Sequence, residues 1–197
     1  MKINVILLAS CFGLINMAAS LLPMGLSQAQ TVTSEKATPQ EIQAVAYLLK
    51  NSKQFNVCTD SLERASAQEF SRAYQVSNQT YLVMIQCFLG AYQGAYQFFL
   101  YAPTAKSNTV KPLRLTRFDQ NEAGKIEKTE SLEVGGLPTY EPKQRLLTVE
   151  TRFRGVGDCG SIARYRVEKN ALKLIDYKAK FVCDGKVDPY QQIFPPK

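Results

Sequence analysis

Four cysteines, Cys58, Cys87, Cys159 and Cys183, constrain this chain more than any other feature. A crosslink fixes two backbone points within a few ångströms of each other. A fifth, Cys11, sits in an N-terminal stretch that reads as an export signal. Met1-Lys2 supplies a positive charge, residues 3–24 carry none, and Ser27-Gln28-Ala29 offers small residues where a signal peptidase cuts. The expectation is a signal at residues 1–29, cleaved after Ala29, and one exported domain at residues 30–197. Two other readings remain open. The apolar stretch is long enough to stay as an anchor, although Asn16 and Pro23 interrupt it. Leu8-Ala9-Ser10-Cys11 has the look of a lipoprotein box, but the apolar run continues past Cys11.

Cleavage leaves an even cysteine count in an exported chain, which predicts two disulfides. Three connectivities are possible. Cys58–Cys87 with Cys159–Cys183 is favoured, because the second pair flanks an apparent hairpin. Each bridge contributes about 2–4 kcal/mol. No two of these cysteines have the close spacing of zinc ligands, and the chain has no histidine. Its absence excludes Ser-His-Asp and Cys-His catalysis within the chain. No metal, cofactor or catalytic residue is implied, and the expected state is a monomer.

The 197 residues carry a formal net charge of +7. For an exported protein the matching partners are anionic envelope polymers, lipid headgroups or acidic envelope proteins, and nucleic acid is a poor match.

Thr38-Pro39-Gln40-Glu41 marks a helix start: a capping threonine, a proline suited to the first turn, and a glutamate that completes a capping box. Ile42, Val45, Ala46, Leu48 and Leu49 form an apolar stripe at helical spacing, read as core. The helix should end near Asn51-Ser52, and residues 60–72 allow a second short one. Residues 74–76 and 81–88 read as strands, the second apolar at nearly every position and so covered on both faces. Residues 96–101 and 113–118 read as further strands, with a loop at 103–112. Residues 125–133 suit an edge, and Gly135-Gly136-Leu137-Pro138 reads as a break.

The last third alternates most cleanly. Leu147, Val149, Thr151 and Phe153 share one parity. Ala163, Tyr165 and Val167 share another, before a turn at Lys169-Asn170. Ile175, Tyr177, Ala179 and Phe181 are the expected inner face of the return strand, and the C-terminal tail is expected to fray. The fold class is α+β: an N-terminal helix packed on a mainly antiparallel, disulfide-stabilised sheet.

Three constellations are candidates for function. Arg152, Arg154, Arg164, Arg166, Lys178 and Lys180 occupy the outward parity of the last strands and suit a polyanion. Glu150, Glu168 and Asp176 share that parity and can neutralise it. The tandem Gly90-Ala91-Tyr92-Gln93 and Gly94-Ala95-Tyr96-Gln97 offers Tyr92 and Tyr96 as ligand-contacting rings. The glycine corner Gly155-Val156-Gly157-Asp158-Cys159-Gly160-Ser161 is the third. A nucleophilic loop and a pinned turn are both compatible with it.

Cys87-Phe88-Leu89-Gly90-Ala91-Tyr92 and the glycine corner, in this order and followed by Cys183, resemble the bacterial envelope family catalogued as domain of unknown function 1176. The segment Gly-Ala-Tyr here continues with Gln93, where asparagine is usual. The resemblance implies an exported protein whose cysteines are structural, and it implies no activity. The expected function is an exported binding domain for an anionic envelope component or an envelope protein. The alternatives are an inhibitor of an exported hydrolase, and a histidine-free enzyme using Asp158 or Cys159.

Overall fold

The computed structural model describes residues 36–196. The expected signal, its cleavage site and Cys11 lie outside them. Among the described residues no helix is long and apolar enough to cross a membrane.

Helix α1 (Pro39–Lys50) starts where the capping box places it. Glu41 N–H donates to Thr38 Oγ1 at 3.3 Å, and Thr38 N–H donates back to Glu41 Oε2 at 2.9 Å. Two orphan backbone donors are thereby satisfied at the first turn. A short α2 (Arg64–Phe70) follows.

The rest is antiparallel sheet. Its strands are β1 (Arg72–Ser77), β2 (Thr80–Leu89), β3 (Gly94–Ala102), β4 (Thr109–Leu113), β5 (Leu115–Gln120) and β6 (Ile126–Ser131). They continue with β7 (Glu133–Glu141), β8 (Leu146–Arg152), β9 (Gly160–Val167), β10 (Leu172–Lys180) and β11 (Gln191–Phe194). The main sheet runs β1-β2-β3-β7-β8-β9-β10-β11, with β4 also paired to β3, and β5–β6 forms a separate ribbon. Helix is a smaller share than the α+β expectation suggested: the described chain is mostly antiparallel sheet with two short helices and two disulfides.

Tyr81 to Cys87 in β2 are all buried because the strand is covered on both sides. Leu82 and Met84 join Phe98, Leu100, Tyr165 and Tyr177 in one cluster. Val83, Ile85 and Cys87 join Phe99, Ala44, Leu48 and Val57 in a second, which includes residues of α1. The β5–β6 ribbon lies against the first cluster. Tyr165 OH donates to Thr116 O at 2.8 Å and Tyr177 OH to Phe118 O at 3.0 Å. Burial raises the pKa of both phenols, since the charged form would have to leave water.

Four local expectations need correction. Pro112 lies within strand β4, opposite Phe99, and β4 pairs β3 alone, an edge position of the kind where proline is tolerated in a sheet. Gly135-Gly136 does not break the chain but lies inside β7, whose first half pairs β3 and second half pairs β8. A Cβ on Gly136 would stand 2.7 Å from Glu150 O, so glycine there permits close strand approach. The register of β10 shifts between Leu174 and Asp176, which turns Leu174 inward and leaves Ile175 half-exposed. Such a bulge defeats strict alternation. The tail does not fray before Phe194: β11 pairs β10, and Ile193 and Phe194 pack on the core.

Cys58 bonds Cys87 and Cys159 bonds Cys183, with Cα–Cα distances of 5.3 and 5.0 Å. The first ties the turn region before α2 to β2. The second ties the glycine corner to the chain beyond β10.

Candidate functional site

The glycine corner leaves β8 at Arg152 and re-enters the sheet at Gly160. Gly157 has φ +75°, a left-handed conformation that suits glycine. A Cβ on Gly160 would stand 2.2 Å from Thr151 O, so the return strand sits directly against β8. Asp158 is the internal fastening. Its side chain is 1% exposed and accepts from Arg154 Nε at 2.6 Å, Arg154 Nη2 at 2.5 Å and Gly185 N at 2.6 Å. The Arg154 guanidinium, helped by the Gly185 N–H, holds this carboxyl well below the usual carboxylate range and raises the arginine in turn. Cys159 is fully buried in its disulfide. Neither residue presents a free nucleophile: one sulfur is crosslinked and the carboxylate is saturated with donors.

The two sequence motifs meet here. The ring of Tyr92 lies 3.3 Å from where a Gly155 Cβ would be, so glycine lets the ring rest on the corner. Gln93 Oε1 accepts from Arg152 N at 2.9 Å, and its Nε2 donates to Arg152 O at 3.1 Å. Tyr92 is 41% exposed, whereas Tyr96 is half-buried against the first core cluster. Burial raises the Tyr96 phenol's pKa. The pair therefore does not form one aromatic platform: one ring braces the corner and the other packs inward.

The register keeps Arg152, Arg164, Arg166, Lys178 and Lys180 on one side of β8, β9 and β10, but not Arg154, and acids engage three of the six. Arg154 lies beyond the end of β8 and is bound to Asp158. Lys180 is 10% exposed: its ammonium donates to Asp184 Oδ1 at 2.7 Å, Lys186 O at 2.5 Å and Asp188 Oδ2 at 3.3 Å. The hydrogen bond to Asp184 is the main cause of the raised lysine pKa, with Asp188 adding to it. Arg152 lies 3.6 Å from Glu150. Arg164, Arg166 and Lys178 remain on the outer side of β9 and β10 with no ion pair among the described residues. Arg164 stands opposite Asp176, but that carboxylate accepts from Gln192 Nε2 at 2.8 Å. The sulfurs of Cys58 and Cys87 lie with the Glu133 carboxylate within 4.8 Å of one another, and the crosslink commits both sulfurs.

One concave feature has no signature in the sequence pattern. Between α1, α2 and the start of β1 lies a cleft of about 490 Å³. The helical stripe of α1 reads as core in the sequence, and Leu48 and Leu49 are buried, yet Ile42 is 60% exposed and Ala46 is exposed too. Periodicity marks an apolar side of a helix but not which part of it finds a partner.

A 104-residue segment, 53% of this chain, is 32% identical to "Uncharacterized protein YpfG" of Escherichia coli (strain K12) and spans 28% of that relative. No solved structure matches. A family model described as "Protein of unknown function (DUF1176)" matches residues 18–193. With both sequence motifs and three of the four bonded cysteines inside the resemblance seen in the sequence, and all four inside this match, the chain belongs to the DUF1176 family.

Proposed function

We propose that this protein is an exported, disulfide-stabilised domain of α+β type that binds an anionic envelope component, a polymer or lipid headgroup bearing phosphate or carboxylate. The observation that carries this reading is the trio Arg164, Arg166 and Lys178, on the outer side of β9 and β10 and without a carboxylate partner among the described residues. Two disulfides fit folding in an oxidising compartment. An antiparallel sheet tolerates one solvated face, and arginines there can present paired donors to oxyanions.

The test is sedimentation with phosphatidylglycerol vesicles against phosphatidylcholine vesicles at low and high salt. Binding should be confined to the anionic vesicles and weaken steeply with salt. The triple variant Arg164→Gln, Arg166→Gln, Lys178→Gln should abolish it. Equal binding to both vesicle types would refute the reading.

A second reading, inhibition of an exported hydrolase, draws on Val156. It is 79% exposed at the tip of a corner fastened by a disulfide, an ion pair and the Tyr92 ring. Rigid projecting loops lose little entropy on docking. Stoichiometric, salt-insensitive inhibition lost in Val156→Asp would favour this reading over the first.

A further inference from the structure

Helix α1 is apolar over two adjoining stripes: Leu49 and half-buried Val45 still pack on the core, whereas Ile42 and Ala46 are exposed. Ala44 and Leu48 are fully buried in the cluster that includes Val83 and Ile85 of β2. Ile42, Val45, Ala46 and Leu49 follow one another at helical spacing and line the cleft toward α2 and β1, whose Ala73 lines it too. The volume of about 490 Å³ lies within the roughly 300–1,000 Å³ of small-molecule sites. The cleft's apolar floor is Leu49 and Ala73, both buried, and its apolar wall is Ile42 and Ala46, both exposed.

The charges around the cleft are three positive to one negative. Lys50, Arg64 and Arg72 stand along it, all exposed. Arg64 makes two long bonds, to Leu49 O at 3.4 Å and Ser52 Oγ at 3.5 Å. Arg72 uses Nη1 on the carbonyls of Glu69 and Ser71, at 2.7 and 2.8 Å. None of the three cations has an ion pair among the described residues. Glu41, the acid on the cleft, is committed elsewhere: one oxygen accepts from Thr38 N and the other from Gln75 N at 3.1 Å. An apolar trough with unspent guanidinium donors at its rim matches one ligand chemistry, an alkyl chain ending in an anionic oxygen head.

We propose that the α1–α2–β1 cleft binds a single-chain anionic amphiphile. The chain lies along Ile42, Val45, Ala46 and Leu49, and a carboxylate or phosphate-monoester head meets Arg64 and Arg72. The site is separate from the outer side of β9 and β10, so its occupancy does not depend on the reading above.

The probe is 11-(dansylamino)undecanoate, titrated into the full chain below its micellar range and read as blue-shifted dansyl emission. The expected result is saturation at one probe per chain. Dodecanoate and monododecyl phosphate should compete at least about tenfold better than dodecanol. Either order of the two anions supports the site, and the order tells a fatty carboxylate from a phospholipid fragment. Ile42→Glu and Ala46→Trp act independently at exposed positions, one placing a rival carboxylate in the trough and the other filling it. Each should weaken the probe about tenfold or more while the thermal midpoint holds. Arg64→Gln with Arg72→Gln should bring the anions down to the level of the alcohol. Unsaturable emission, full binding in both Ile42→Glu and Ala46→Trp, or anions no better than dodecanol would each overturn the proposal.

Discussion

Gln93 satisfies both backbone groups of Arg152, accepting from its N–H at 2.9 Å and donating to its carbonyl at 3.1 Å. A side-chain amide has both a donor and an acceptor, so it pairs a backbone N–H and C=O as a neighbouring strand would. Gln93→Leu keeps the bulk and removes both bonds at once. Chemical denaturation should show a loss of about 1–3 kcal/mol, because two backbone groups lose their partners. Proteolysis should shift to the 153–158 corner, which the amide holds at its base.

Asp158 sets the acid limb of stability. Its carboxyl pKa is depressed in the folded protein, mainly by the Arg154 hydrogen bonds. The unfolded chain therefore binds its proton more readily. Its contribution is complete above the ordinary carboxylate range and drains away as pH falls through and below it. Thermal melts from neutral to acid pH should show a steep drop in the midpoint for the wild type. Asp158→Asn should start lower at neutral pH and drop less.

The disulfides are separable. Cys159→Ala with Cys183→Ala should cost about 2–4 kcal/mol and release the corner from the Gly185 segment. Cys58→Ala with Cys87→Ala should cost about as much but loosen the region before α2 instead. Hydrogen exchange resolved by segment distinguishes the two.

Two glycines predict opposite reasons for intolerance. Gly160→Ala forces a methyl against the Thr151 carbonyl, a backbone atom that cannot swing away. Its cost should reach about 3 kcal/mol or more, with the β8–β9 pairing disturbed. Gly185→Ala meets open space, and its φ of +82° is the sole objection, at about 1–2 kcal/mol. Urea midpoints of the two variants give the comparison.

Lys180 and Arg166 should behave as opposites. Lys180→Met removes the ammonium that gathers Asp184, the Lys186 carbonyl and Asp188, so exchange in the 184–188 loop should speed up. Its pKa is raised, so the contribution it makes is present below the ordinary lysine range and fades as pH climbs past the raised value. Vesicle binding should survive this change. Arg166→Gln should leave the loop and the melting midpoint alone and weaken vesicle binding.

What could be read from the sequence was local. The capping box of Thr38 and Glu41, the twice-covered run from Tyr81 to Cys87 and the turn at Lys169-Asn170 each carry their instruction within a few residues. Gly135-Gly136 misled because glycine serves both turns and close strand contacts, and only the approach of Glu150 distinguishes them. The bulge at Leu174–Asp176 reverses parity with no marker in residue type. At the site, parity placed Arg164 and Arg166 on the outer side. It could not see that Arg154 and Lys180 would turn to acids a few residues on. The meeting of Tyr92 with Gly155 spans the whole distance from the β2–β3 connection to the corner, beyond the reach of any periodic pattern.

The disulfide pattern also bears on how the chain matures. Each bridge joins cysteines that follow one another in sequence, 29 and 24 residues apart, and no loop closed by one encloses a cysteine of the other. If the protein is exported N-terminus first and Cys11 leaves with its signal, the remaining cysteines meet an oxidant in the order Cys58, Cys87, Cys159, Cys183. Pairing by order of arrival then yields the native crosslinks, and the first can close while the second pair is still in transit. Such a connectivity asks for an oxidase and leaves a disulfide isomerase nothing to correct.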